Sequence, residues 1–147
     1  RLELARELGA THALNGAETD AVKAVKEITG GGADFSLETT AVPAVLRQAI
    51  DALGPLGTCG VIGAARLGTE AAFDMNDVLV PGKTIRGIVE GDSVPDVFIP
   101  RLVKLHAQGR FPLDRLVRFY DLEDINEAAR DAEEGGAVKP VLRVGRG

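Results

Sequence analysis

The chain is poor in the residues from which disulfides and thiolate metal sites are built. Its 147 residues include one cysteine and two histidines. A single cysteine cannot close an internal disulfide, which makes a reducing cytoplasm the default compartment, and it cannot build a thiolate zinc site. His12 and His106 are far apart in sequence, which leaves their spatial relation open. Nothing approaches the roughly 18 consecutive apolar residues of a membrane span, and no signal peptide is visible. There is no basic cluster either, and the formal net charge is -5. That balance speaks against nucleic acid or an anionic membrane as the main partner. Finally, there is no initiating methionine and no capping residue ahead of Arg1, although the first residues have a helical pattern. The expectation is a chain that starts partway through a longer protein; the alternative is tag removal before a frayed helix.

What is present is an ordinary globular composition, 45% hydrophobic and 27% charged, long enough for one domain with a real core. It is organised around residues 32–63. Phe35 and Leu37 alternate with Asp34, Ser36 and Glu38, the period of a strand that is polar on one side, over Ala33–Thr40. Pro43 suits the first turn of a helix over Pro43–Leu53, in which Val45, Leu46, Ala49, Ile50 and Leu53 form one apolar stripe ended by Gly54. Gly57–Gly63 is a short apolar run bounded by glycines, as a buried parallel strand should be. Together they make a βαβ unit.

The flanking chain repeats the alternation. Leu4, Ala5 and Leu8 predict a helix over residues 1–8, and Ala10–Asn15 a brief edge strand. Asp20 can cap a helix over Ala21–Ile28 with Val22, Val25 and Ile28 facing inward, stopped by three glycines. Ala65–Gly68 reads as a loop and Glu70–Met75 as a strand. Asn76 caps a short helix, Asp77–Val80, before a strand over Thr84–Val89. A helical region starts near Ser93 and Pro95, with Pro100 as a second start or kink and the main helix over Arg101–Gln108. Leu116–Tyr120 reads as a strand. Asp121 caps a helix with Leu122, Ile125, Ala128, Ala129 and Ala132 inside, and Lys139–Val144 is the last strand, with Arg146 and Gly147 trailing. Strands alternating with helices predict an α/β fold with a mainly parallel sheet. Cys59 is expected to be a small buried residue, His106 a surface residue and His12 a neighbour of its strand. The acidic pairs Glu123–Asp124 and Glu133–Glu134 read as solvated helix faces.

Several segments carry a family resemblance: Leu4–Thr11, Gly32–Thr40, Gly60–Gly63, Gly91–Pro95, Phe98–Val103, Gln108–Pro112, Phe119–Asp121, Asp124–Asn126 and Lys139–Arg143. Over essentially its whole length the chain resembles the nicotinamide-binding half of the zinc-type medium-chain alcohol dehydrogenases, and the later segments point to the aryl (benzyl) alcohol branch. The resemblance implies an incomplete Rossmann-like, doubly wound sheet over residues 1–147. It lacks the first β-α-β, whose glycine fingerprint meets the pyrophosphate. Gly30-Gly31-Gly32 is no substitute, since it follows a helix and precedes a strand. The zinc-binding catalytic domain is implied to be absent as well, so zinc is expected only there and the chain alone is expected to be inactive. The implied cofactor is NAD, with NADP open, and the implied substrates of the intact enzyme are alcohols and aldehydes. The runner-up is a zinc-free quinone or enoyl reductase relative that uses NADPH; a third reading is a non-catalytic nucleotide-binding module.

By the same resemblance, Arg1 matches a basic position beside the adenosine ribose, and Thr39 and Thr40 match positions flanking adenine and ribose. Ile62, Gly63 and Ala64 match the strand end beneath the nicotinamide. Ile88 and Glu90 match positions whose backbone carbonyl and N–H hold the carboxamide, with Val89 between them, and Lys139 matches a basic residue that reaches the pyrophosphate. Each has a plainer reading: a loose chain end for Arg1, hydroxyls satisfying a turn for the threonines, and a solvated edge lysine for Lys139. In the implied strand order 3-2-1-4-5-6, Ala10–Asn15 is strand 3 and Ala33–Glu38 strand 4. The absence of strands 1 and 2 then predicts that strand 3 closes against strand 4 or that another copy pairs with it. The family also tends to dimerise through a sheet edge, here expected at Glu70–Met75. A homo-oligomer is therefore expected.

Overall fold

The computed structural model describes residues 1–145, and the expected tail, Arg146 and Gly147, lies outside the described residues. The chain forms two compact units. One holds helix α1 (Leu2–Glu7) and the chain from Val94 onward, and the other is the continuous stretch Leu14–Ser93.

The continuous stretch runs α2 (Ala21–Thr29), β1 (Ala33–Glu38), α3 (Pro43–Asp51), β2 (Leu53–Val61), α4 (Asn76–Leu79) and β3 (Thr84–Gly87). The Lys23 N–H donates to the Asp20 side chain at 3.0 Å, a cap worth about 1 kcal/mol. Gly30, at φ 72°, closes the helix in the left-handed conformation. Two residues on, Gly32 lies so close to Gly54 that a β-carbon would overlap the Gly54 backbone. Pro43 occupies the first turn of α3, as expected. The α3 stripe then packs through Leu46, Ala49 and Ile50 against Leu53, Cys59, Val78 and Ile85. Ile50 and Cys59 are fully buried. All pairings in this sheet are parallel, in the order β1-β2-β3, which reproduces the expected 4-5-6 half of the doubly wound arrangement.

Several expectations are corrected here. Ala10–Asn15 forms no strand; it finds no ladder to join, and the Asn15 side chain instead accepts the Ala17 N–H at 3.1 Å to begin a turn. The closure of that segment against β1 therefore does not occur. Glu70–Met75 is also irregular. It has no β-branched residue and, among the described residues, no partner strand, so the second edge of the sheet is β3. Strand β1 stops at Glu38 rather than Thr40, and α3 ends at Asp51, before Leu53 and Gly54. Leu53 already pairs with Ala33, after which the register shifts at a bulge within β2 and the continuous ladder starts at Thr58↔Phe35. Asp74 rather than Asn76 caps the turn before α4, accepting the Asn76 N–H at 2.8 Å. In β1 it is the polar face that turns inward. Ser36 and Glu38 turn toward α3, with the Ser36 hydroxyl donating to the Ala49 carbonyl at 2.9 Å, while Phe35 is 78% and Leu37 63% exposed. Ile28 is exposed as well, whereas Val22 and Val25 are half-buried.

In the other unit, α1 is followed after Val94 by α5 (Pro95–Ala107), β4 (Val117–Asp121), α6 (Ile125–Glu134) and β5 (Lys139–Arg143). Helix α5 starts at Pro95 and continues through Pro100, not at Arg101. Pro100 has no N–H to donate and interrupts one backbone bond without ending the helix. Strands β4 and β5 pair in parallel over a small core of Tyr120, Ala128, Ala137 and Leu142. Asp121 does not cap α6; a 3-10 turn, Leu122–Asp124, intervenes. Because that turn shifts the start of the helix, Ala128 is buried and Ala132 half-buried while Leu122, Ile125 and Ala129 are exposed. His106 and His12 are exposed, and the His106 ring bonds the Phe111 carbonyl at 2.8 Å.

Candidate functional site

The register Glu38↔Val61↔Gly87 brings the C-terminal ends of β1, β2 and β3 side by side. The loops that follow, Thr39–Val42, Ile62–Ala64 and Ile88–Glu90, leave the sheet along one edge, where doubly wound sheets meet their ligands. Eight of the ten candidate residues, Thr39, Thr40, Ile62, Gly63, Ala64, Ile88, Val89 and Glu90, thus fall on three adjacent loops. Arg1 and Lys139 belong to the other unit. There, the Arg1 guanidinium makes a long 3.4 Å bond to the Ala132 carbonyl, and the Lys139 N–H donates to the Leu116 carbonyl at 3.0 Å while its side chain is exposed.

The residue that organises the first two loops, Glu38, is not among those ten. It is 2% exposed. Its Oε1 accepts the Thr40 N–H at 2.5 Å, the Thr40 hydroxyl at 2.6 Å and the Ala41 N–H at 3.0 Å. Its backbone carbonyl accepts the N–H groups of Ile62 at 2.9 Å and Gly63 at 3.1 Å. Its Oε2 abuts Gly63, where an added β-carbon would stand 2.7 Å from it and closer still to the Ala41 nitrogen. The Thr40 hydroxyl bond, helped by the Thr40 and Ala41 N–H groups, holds the Glu38 carboxyl below its ordinary 4.5 despite the opposing effect of burial. The carboxylate is therefore ionised at neutral pH. The Thr40 hydroxyl also accepts the Val42 N–H at 3.2 Å, so it is bonded within the loop, whereas Thr39 is exposed. One signal for Glu38 was legible: it shares the polar face of β1 with Ser36. Beside it lies a cavity of about 170 Å³, lined by Glu38, Val42, Leu46, Val61, Gly63 and Glu70 among others.

The third loop is a left-handed turn. Glu90, Gly91 and Asp92 have φ of 49°, 71° and 51°, unusual for the two non-glycine residues. Three bonds hold it: Arg86 to Asp92 at 2.6 Å, the Asp92 N–H to the Val89 carbonyl at 2.8 Å, and the Ser93 hydroxyl to the Glu90 carbonyl at 2.8 Å. The Ile88 N–H continues the ladder to the Val61 carbonyl at 3.0 Å. Among the described residues, the Ile88 carbonyl and the Glu90 N–H carry no hydrogen bond. An acceptor and a donor thus stand free two residues apart at the strand end. Among the described residues, no three His, Cys, Asp or Glu side chains group to hold a metal ion, and no helix is long and apolar enough to cross a membrane.

This parallel sheet, with its strand ends aligned along one edge, has the α/β architecture of the Rossmann-like kind. Comparison with known proteins gives the family: the model for zinc-binding dehydrogenases matches residues 1–107, and the chain belongs to that family. Among solved structures, an alcohol dehydrogenase zinc-binding domain protein from Burkholderia ambifaria is 63% identical, with a TM-score of 0.94 over 99% of this chain and 39% of its own. The benzyl alcohol dehydrogenase of Acinetobacter calcoaceticus is 53% identical, with a TM-score of 0.95 over 98% of this chain and 40% of its own. The geraniol dehydrogenase of Castellaniella defragrans is 46% identical over 97% of this chain and 38% of its length. The chain therefore spans about two fifths of the relatives it matches.

Proposed function

We propose that this chain is the cofactor-binding part of an NAD-dependent, zinc-type alcohol dehydrogenase, with the catalytic zinc domain outside these 147 residues. The observation that carries the reading is the free pair at the end of β3. A nicotinamide carboxamide has one N–H₂ donor and one carbonyl acceptor, which complement the Ile88 carbonyl and the Glu90 N–H. The neighbouring strand ends fit the rest of such a ligand. Ile62, 43% exposed, and Ala64 offer a surface for the ring, and the exposed Thr39 offers a hydroxyl for a ribose. When bound, the dinucleotide supplies a hydride acceptor; this chain binds it and orients the ring. The substrate reading, an aromatic primary alcohol oxidised to its aldehyde, draws on the 53% identity to a benzyl alcohol dehydrogenase. The geraniol relative is compatible with it, because an allylic alcohol also places its carbinol carbon beside a π-system.

The reading includes self-association. The edge of β1 has no strand partner among the described residues, and it borders an apolar cavity of about 430 Å³ lined by Val22, Val25, Phe35, Leu37, Val45 and Ala49 among others. An open edge of this kind is a template for another strand, and light scattering is expected to give a mass above that of the monomer. Calorimetric titration with NAD and NADP tests the cofactor reading. Millimolar or tighter binding of NAD is expected, and a folded chain that binds neither nucleotide would contradict it.

A further inference from the structure

Glu38 gathers several bonds although it is not among the residues proposed to touch the cofactor. A carboxylate that is 2% exposed is costly to bury unless its acceptor sites are filled, and here one oxygen takes three donors at 2.5, 2.6 and 3.0 Å. All three donors lie on the loop after β1. The backbone carbonyl of the same residue takes two donors from the loop after β2, and Oε2 packs on Gly63, a contact that leaves no room for a β-carbon. One residue therefore fixes two loops, one offering Thr39 and the other offering Ile62–Ala64. The grip on the first loop is strong enough to hold Ala41 at φ 62°, a conformation alanine resists.

We infer that Glu38 is a positioning residue for the nicotinamide dinucleotide. Its carboxylate, acting through Thr40 and Ala41, holds the loop after β1 in register with the loop after β2, so that the two present one continuous surface to the ligand. Glu38 does not touch the dinucleotide. The assignment rests on the dinucleotide reading of these loops and adds to it a residue that acts through its neighbours. Glutamine at this position keeps the size of the side chain but loses the charge that draws three donors to one oxygen.

The test is a double-mutant cycle in NAD affinity, read by calorimetry on the purified chain well below the melting temperature of each variant. Melting is recorded separately, so that a loss of global stability is not read as a loss of affinity. E38Q is expected to weaken NAD binding about tenfold and T40V about threefold, because E38Q weakens three charge-assisted bonds together and T40V removes one of them. The double variant is expected to be no weaker than E38Q, because Glu38 acts through Thr40. Equal affinity of E38Q and wild type would overturn the inference while leaving the cofactor reading intact, and so would additive losses in the double variant. Failure of the wild-type chain to bind NAD would overturn both. Should E38Q fail to fold, T40V decides: weakened binding supports the positioning role, and wild-type affinity contradicts it.

Discussion

Ala41 shows how much a single backbone angle is asked to bear. At φ 62° it occupies the left-handed region, which costs an L-residue roughly 1–2 kcal/mol. The Glu38 carboxylate offsets part of that by accepting the Ala41 N–H. Glycine would remove the strain but lose up to about 1 kcal/mol to the freer unfolded chain. The strain is the larger of the two, so Ala41→Gly is expected to stabilise the chain by about 0.5–1 kcal/mol. Urea denaturation should show this as a higher midpoint at unchanged slope; a lower midpoint would mean that the loop does not hold Ala41 in this conformation. The opposite case lies at Gly63, whose place against Glu38 Oε2 and the Ala41 nitrogen excludes any side chain.

Among the elements, β4 and α6 are joined by one polar cluster. The buried Tyr120 hydroxyl donates to Asp131 at 2.6 Å, and Arg118 reaches the same carboxylate oxygen at 2.8 Å while its guanidinium lies over the Tyr120 ring. Burial, reinforced by the Asp131 bond, raises the Tyr120 pKa, so the phenol is neutral and available as the donor. Asp131→Ala leaves that hydroxyl without its acceptor in the small core around Tyr120, and a cost of about 2 kcal/mol is expected. Asp131→Asn, which keeps an acceptor in place, should cost less. Equal stability of the alanine variant and wild type in denaturant melts would remove Asp131 from any structural role.

Elements were legible in the sequence where their signals were local. The stripe Leu46, Ala49, Ile50, the Asp20 cap and the Gly30 stop need only neighbours a few residues away, and they stand where the local pattern places them. Ala10–Asn15 and Glu70–Met75 failed because a strand exists only with a partner, and no local pattern supplies one. Which face of β1 turns inward was not legible for a related reason. Alternation separates Phe35 and Leu37 from Ser36 and Glu38, but which face α3 covers depends on contacts such as Ser36 to Ala49. Glu38 was passed over as a site residue because a lone acid in a strand gives no sign of the donors that fold back on it. The Ile88 carbonyl and Glu90 N–H were named through the family resemblance alone; they are backbone groups, and that they stand free shows only once the turn after them is built.

For the whole molecule, the family and the fold are established by the match to zinc-binding dehydrogenases and by the parallel order β1-β2-β3. The chain spans about two fifths of its relatives, so its own contribution is best sought in what its strand ends can bind. The net charge of -5 gives no general attraction for an anionic dinucleotide, and binding must come from placed groups. The most direct test is an amide-resolved NMR titration of the ¹⁵N-labelled chain with NAD. Saturable shifts are predicted at Thr39–Ala41, Ile62–Ala64 and Val89–Glu90, largest at the Glu90 N–H. Shifts confined to other surfaces, or none at millimolar NAD in a well-dispersed spectrum, would contradict the assignment of these strand ends to the cofactor.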